Sequence, residues 1–280
     1  MDGGINMSID VLEMWHSHQK NKRAEEGPKA TAAGTPFRCS DAGSCIRKRG
    51  FAAVGAVESN EIAPTSLLAF EIGNSIHDTI QDAFAATEGF QFAAEVPIDL
   101  SPLGVSLSGH CDGIITMPNS RKIILEIKTM AGFGFKLAAS GPSRAHVAQA
   151  AMYALGMDAS AILLVYVSKE GDFRAGFKPG AVLQWQYDLD DEVFPGETVK
   201  DVAFAELDNF KLAESHLEAG EVAPRLVPND AGELVEVDDV PAYMAKGAKP
   251  WQCAYCQHND ACAVLPSGAV PIDMIERISK

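Results

Sequence analysis

Ile123-Ile124-Leu125-Glu126-Ile127-Lys128 reads as a strand whose two faces differ in chemistry. Side chains alternate along an extended chain. Ile123, Leu125 and Ile127 therefore share one face, and Glu126 and Lys128 share the other. An acid and a base two apart on an otherwise apolar, interior strand are costly unless they pair or bind something. A divalent cation would satisfy the carboxylate, and the ammonium would then orient or deprotonate a water. The preceding strand carries Gly109-His110-Cys111-Asp112-Gly113, and Pro118-Asn119-Ser120 supplies the turn between the two. Antiparallel pairing brings Asp112 towards Glu126. Two close carboxylates repel, which raises a pKa unless a cation lies between them. Oxygen ligands of this kind suit Mg2+ or Mn2+.

The rest of the chain supplies a setting for this pair. A helix is expected over Ser8–Arg23, followed by a linker from Gly27 to Pro36. Thr65 or Ser66 can cap a helix running to about Ala86, with Ile72, Ile76, Ile80 and Phe84 as its buried face. His77 stands one turn beyond Gly73 on that helix, and the missing side chain at Gly73 would let the helix approach another backbone. Strands are expected at Phe92–Asp99, Val105–Met117 and Lys122–Thr129, then a helix over 143–157 with Gln149 and Tyr153 on one face. Ala161–Ser168 is apolar nearly throughout, as a central strand should be. A strand at Val182–Leu189 and an acidic helix at Thr198–Ala219 complete the order, which is that of an α/β sandwich with a mixed sheet flanked by helices. The division expected is an N-terminal arm over 1–36, a main domain over 37–265 and a C-terminal tail over 266–280.

Composition fits a soluble globular protein: 280 residues, 47% hydrophobic and 22% charged. No apolar run reaches the length of a membrane span, and no basic-then-apolar leader opens the chain, so the cytoplasm is the expected compartment. The net charge of −15 argues against a generally nucleic-acid-binding surface. Eight bases between Lys20 and Arg49 offer a local one, while sixteen acids lie between Asp188 and Asp239. There is no glycine-rich loop followed by Lys-Ser/Thr, so any duplex unwinding has to come from a partner.

Taken in order, Gly73-x-x-x-His77, Gly109-x-x-Asp112, Glu126-x-Lys128 and Gln149-x-x-x-Tyr153 resemble the RecB-like nuclease domain of the PD-(D/E)xK superfamily. Cys111 stands where the superfamily pattern has proline. The resemblance implies a restriction-endonuclease-like core with Asp112, Glu126 and Lys128 catalytic. It further implies Mg2+ or Mn2+ held by Asp112, Glu126, His77 and the backbone carbonyl of Ile127, and a DNA-facing wall at Gln149 and Tyr153. The activity implied is a deoxyribonuclease, an exonuclease acting on DNA ends or single strands. Its settings would be recombination, repair, phage DNA metabolism or CRISPR adaptation, with a helicase or recombination protein as partner and no membrane.

Three of the six cysteines, Cys253, Cys256 and Cys262, crowd one short stretch, which favours a metal or cluster site over disulfides. A fourth ligand is needed, and Cys45, Cys39 and His258 are the candidates. The pattern is similar to that of AddB-type and CRISPR-associated iron–sulfur nucleases. That likeness implies a 4Fe-4S cluster on Cys45, Cys253, Cys256 and Cys262, with Zn2+ as the alternative. Two other readings stand beside the nuclease: an inactive nuclease fold serving as a DNA-binding adaptor, and a zinc-stabilised interaction protein.

Overall fold

One mixed sheet of six strands organises the computed structural model, which describes residues 10–26 and 37–278. The strands are β1 (Phe37–Arg38), β2 (Gln91–Asp99), β3 (Leu107–Thr116), β4 (Lys122–Met130), β5 (Ala161–Ser168) and β6 (Val182–Asp188). Their order is β1-β3-β4-β5-β6, with β2 on β3. The β1/β3 and β4/β5 pairs are parallel and the others antiparallel. The principal helices are α1 (Val11–Glu26), α2 (Ile46–Ala53), α3 (Pro64–Ala85), α4 (Gly132–Ala138), α5 (Arg144–Gly156) and α6 (Val199–Glu218).

The two faces of β4 enter two cores. Ile123, Leu125 and Ile127 pack with Ile115, Val165 and Val167 beneath Ile76, Ile80 and Phe84 of α3. Ile124 joins the larger core, with Val147, Ala151 and Ala154 of α5 and Val202, Leu207 and Phe210 of α6. The sheet is thus sandwiched between α3 and the α5–α6 pair. Leu125 is fully buried; its truncation to alanine would cost about 2–5 kcal/mol.

Several expectations are corrected. Neither Thr65 nor Ser66 caps α3. Pro64 occupies its first turn and Ala63 its N-cap, with no side-chain bond. Ile72 is 46% exposed. On a helix of about 3.6 residues per turn, a strict four-residue spacing rotates about 40° per step, so the stripe leaves the core by its N-terminal member. The first helix is found at Val11–Glu26, and the Gly27–Pro36 linker lies outside the described residues. The region from residue 266 is built into the fold. Val270–Pro271 pairs with Glu221–Val222, and Ile275 packs with Phe51, Val222 and Leu265.

Helix α6 opens with a reciprocal cap. The Thr198 hydroxyl accepts from Asp201 N at 3.1 Å, and the Asp201 carboxylate accepts from Thr198 N at 2.9 Å. Thr198→Ala is expected to cost about 1 kcal/mol and to lower Tm by about 2–4 °C, read by thermal unfolding. An unchanged Tm would show the cap to be dispensable.

Candidate active site

Strand β3 is paired along one edge by β2, while its other edge changes partner. That edge meets β1 at Leu107 and Ser108, and β4 only from Gly113 onwards. Among the described residues no strand lies beside 109–112 there, and Asp112 closes the gap with its side chain. Its Oδ2 accepts from Ile127 N at 2.6 Å. A strand residue turns its N–H and C=O to the same edge, so the Ile127 carbonyl faces this opening too.

The backbone is irregular at the same point. Cys111 and Ile114 both enter the larger core, so the in–out alternation slips between them. Opposite Asp112, Glu95 has φ +49, in the left-handed region that non-glycine residues seldom adopt. Gln81 of α3 spans the irregularity, donating to Glu95 Oε1 at 2.7 Å and to the Asp112 carbonyl at 2.8 Å. One turn earlier on α3, His77 Nδ1 lies 3.4 Å from Asp112 Oδ1. A Cβ at Gly73 would lie 2.9 Å from Thr129 Oγ1, so glycine lets this helix settle against the end of β4. The close approach is to a side chain, not to backbone.

Glu126 is 2% exposed. Its Oε1 is 2.6 Å from Lys128 Nζ, and its Oε2 has no hydrogen-bond partner among the described residues. Burial pushes its carboxyl up to about 7, although the Lys128 ammonium works against the shift; the Asp112 charge adds to it. Burial opposes charging of His77, but the Asp112 hydrogen bond and the Asp112 and Glu126 charges outweigh it, so its pKa is raised. The arrangement is a carboxylate pair beside an ammonium, with one buried oxygen left over.

Tyr153 is closed off from solvent, and Gln149, though it borders a cavity, is tied on both sides. Lys128 Nζ donates to Gln149 Oε1 at 2.9 Å, and Gln149 Nε2 donates to the Tyr153 hydroxyl at 3.3 Å. Tyr153 is 1% exposed, with its hydroxyl so close to Gly109 that a Cβ there would lie 2.7 Å away. The pair stands behind Lys128 and fixes its direction. Gln149→Ala removes an acceptor from the Lys128 ammonium and is expected to lower Tm by a few degrees, the effect of one hydrogen bond to a charged group; an unchanged Tm in thermal unfolding would show the bond to be dispensable.

Cys45, Cys253, Cys256 and Cys262 line one cavity of about 390 Å³, which Lys128, His146 and Gln149 also border. Cys253 is pushed up to about 12 by burial first, then by the charges of Cys45, Cys262 and Cys256. Cys39 lies elsewhere, fully buried in the larger core. His258 gives Nδ1 to the Val57 carbonyl and lays its ring against Phe51. Of the fourth-ligand candidates, only Cys45 shares the cavity. Among the described residues, no three His, Cys, Asp or Glu side chains are already drawn together as an ion would hold them.

The basic stretch ending at Arg49 is only partly open: Lys20, Lys22 and Arg38 are exposed, while its last arginines are not. Arg47 is 1% exposed and bonded to backbone carbonyls; Arg49 is equally buried, 2.5 Å from Glu206 and stacked on Phe210. Lys48 is held by Asp41, and Lys20 by Glu61. The bases of residues 121–180 are partly paired in the same way, Arg121 with Asp188, Arg144 with Glu197 and Lys128 with Glu126. Residues 121–180 hold eight Lys and Arg against four Asp and Glu, in a chain of net charge −15. They include β4, α4, α5 and the β5–β6 connection, the elements around Lys128. The signal for Gln81 was its place four residues after His77; nothing local marked Glu95.

No described helix is long and apolar enough to cross a membrane. No family model matches the sequence, and no curated protein does. Among solved structures, a protein designated SSO0001 is similar, at 16% identity and TM-score 0.45, over 72% of this chain and 86% of that one. The alkaline exonuclease LHK-Exo of Laribacter hongkongensis, in complex with dAMP, is similar at 12% identity and TM-score 0.43, over 74% of this chain and 96% of that one. A phage-related exonuclease from Haemophilus somnus 129PT is similar at 14% identity and TM-score 0.40, over 65% and 96%.

Proposed function

We propose that this chain is a divalent-metal-dependent deoxyribonuclease with a restriction-endonuclease-like core, hydrolysing phosphodiester bonds at DNA ends. The observation that carries the reading is Glu126, a buried carboxylate with one unpartnered oxygen, set between Asp112 and Lys128. An orphaned buried anion is costly, and a hard cation offsets that cost. Asp112, Glu126, the Ile127 carbonyl and His77 would hold Mg2+ or Mn2+. When bound, such an ion supplies charge neutralisation at the phosphate and a lowered pKa for water.

The chain's own residues supply the rest. An ammonium has three donors. Lys128 uses one on Glu126 Oε1 and one on Gln149 Oε1, and the third is left for the attacking water or for the charge developing on phosphate. Gln81 and Ile127 N fix Asp112 at its carbonyl and its carboxylate. Lys136, Arg174 and Lys178, exposed and without a carboxylate partner among the described residues, would offer the strand a local attraction.

Cys45, Cys253, Cys256 and Cys262 would hold a 4Fe-4S cluster, for which four cysteines on one cavity are a fitting donor set. Zinc is the alternative occupant. The cluster would act as a staple between distant parts of the chain. Unwinding of duplex would fall to a separate helicase or recombination protein in the same compartment, the cytoplasm.

The test is cleavage of linear and circular single-stranded DNA by anaerobically purified protein. Linear DNA should be degraded with Mg2+ or Mn2+, circles should survive, and chelator should stop the reaction. Lys128→Ala should reduce the rate about 10²-fold or more, the scale of a general acid–base contribution. Full activity of that variant would remove Lys128 from the mechanism, and cleavage of circles would make the enzyme an endonuclease.

A further inference from the structure

Two arginines beside the cysteine cavity are buried without an anion. Arg47 is 1% exposed and Arg225 4%. Arg47 donates to the carbonyls of Ala223, Pro266, Ser267 and Gly268. Arg225 donates to those of Asp238, Cys262 and Leu265. Each also points a donor at the same sulfur: Arg47 Nη1 is 3.8 Å from Cys262 Sγ, and Arg225 Nε is 3.4 Å from it. Among the described residues, no carboxylate forms an ion pair with either. Arg49, one turn beyond Cys45 but outside the cavity lining and with no bond to a cysteine sulfur, shows the contrast: it is equally buried but has Glu206 at 2.5 Å. Carbonyl dipoles solvate a guanidinium without neutralising it, and an unpaired buried cation is expensive. Four neutral thiols would leave both positive charges standing.

A tetrathiolate metal site changes that balance. A zinc ion on four thiolates and a 4Fe-4S cluster on four thiolates carry the same formal charge, about minus two. Two guanidinium groups cancel it. We propose that Arg47 and Arg225 are the counter-ions of a metal–thiolate site on Cys45, Cys253, Cys256 and Cys262, and that their bonds to Cys262 govern how firmly the metal is kept. The inference rests on the metal-site reading above, but not on the choice between iron and zinc. Loading deprotonates whichever thiols are still protonated and gives those protons to solvent. The two guanidinium charges and the formal charge of the site then cancel, with both donors directed at the Cys262 sulfur. With iron, the same two charges make reduction easier, since net charge and hydrogen bonds to sulfur set the potential.

The experiment uses the full chain purified anaerobically, with iron, zinc and sulfide measured per chain and metal loss to excess chelator followed with time. Arg225→Met and Arg47→Met should lose metal about tenfold faster than the parent, and Arg225→Lys should stay within about threefold of it. Arg49→Met, which removes a buried arginine away from the sulfur, should leave the rate unchanged. In an iron-loaded protein, the ratio of reduced to oxidised cluster at a fixed poise should fall about tenfold in the Met variants, which a merely structural role would not produce. Should the Met chains fail to fold, Arg225→Lys decides: loss as fast as tenfold the parental rate overturns the charge argument. Parent protein holding neither iron nor zinc ends the metal-site reading itself. Parent loaded, with Met variants keeping metal equally long, overturns the counter-ion assignment alone.

Discussion

Glu126→Gln should abolish metal-dependent DNA hydrolysis and at the same time make the metal-free protein more stable at pH 8. The two effects have one cause. Glu126 is buried, one of its oxygens has no partner, and burial holds its carboxyl at about 7, above the ordinary value of 4.5. A folded-state pKa above the unfolded value means that the native state favours the proton. The resulting stability is fully present below about pH 4.5 and is lost as pH rises through about 7. The loss by pH 8 amounts to about 3 kcal/mol, or about 6–12 °C in Tm for a chain of this size. Glutamine cannot ionise, so the variant should escape the loss. Mg2+ or Mn2+ should raise the Tm of the parent at pH 8 and leave the variant unmoved. Equal Tm values for parent and variant in chelator at pH 8, together with retained cleavage, would remove Glu126 from the account.

The second large effect is expected at the cysteines. Cys45 stands at the start of α2 and Cys253 about 200 residues later, on one cavity. A metal group joining them, as proposed, would close a loop whose unfolded-state entropy is worth roughly 5 kcal/mol in the simple chain model. Cys253→Ser should therefore lower Tm by about 10–20 °C and remove the bound metal, with the broad absorption near about 400 nm that iron–sulfur thiolates give. A buried sulfur-to-oxygen exchange alone costs only about 1–3 kcal/mol, so the size of the drop separates a staple from local damage. A serine variant that keeps its colour, its metal and its Tm would contradict the staple. A colourless parent containing zinc would keep the staple and change the metal.

What could be read from the residues follows the range of the physics. Strands β4 and β5 were legible because an apolar run between polar turns needs no distant partner to explain it. Asp112 and Glu126 were legible as neighbours because one short turn separates their strands. The irregularity at Glu95 was not: its left-handed φ is held by Gln81 from another element, and no local pattern encodes that bond. The basic run ending at Arg49 was misleading for the same reason. Whether an arginine faces water or carbonyls depends on partners such as Ala223, Gly268 and Glu206, far along the chain. Gln149 and Tyr153 were correctly placed on one helix face, but only the packed structure shows that face turned inward behind Lys128. α2 was hidden within what read as a solvated basic stretch.

The most direct measurement is a Mn2+ titration of the parent protein and of Glu126→Gln, with bound Mn2+ and DNA cleavage followed in the same samples. The account predicts that cleavage by the parent rises along its Mn2+ occupancy curve, and that the glutamine protein loses both the site and the cleavage. Cleavage that still saturates with Mn2+ in the glutamine protein would contradict it, as would a parent that fills its site and leaves DNA ends intact.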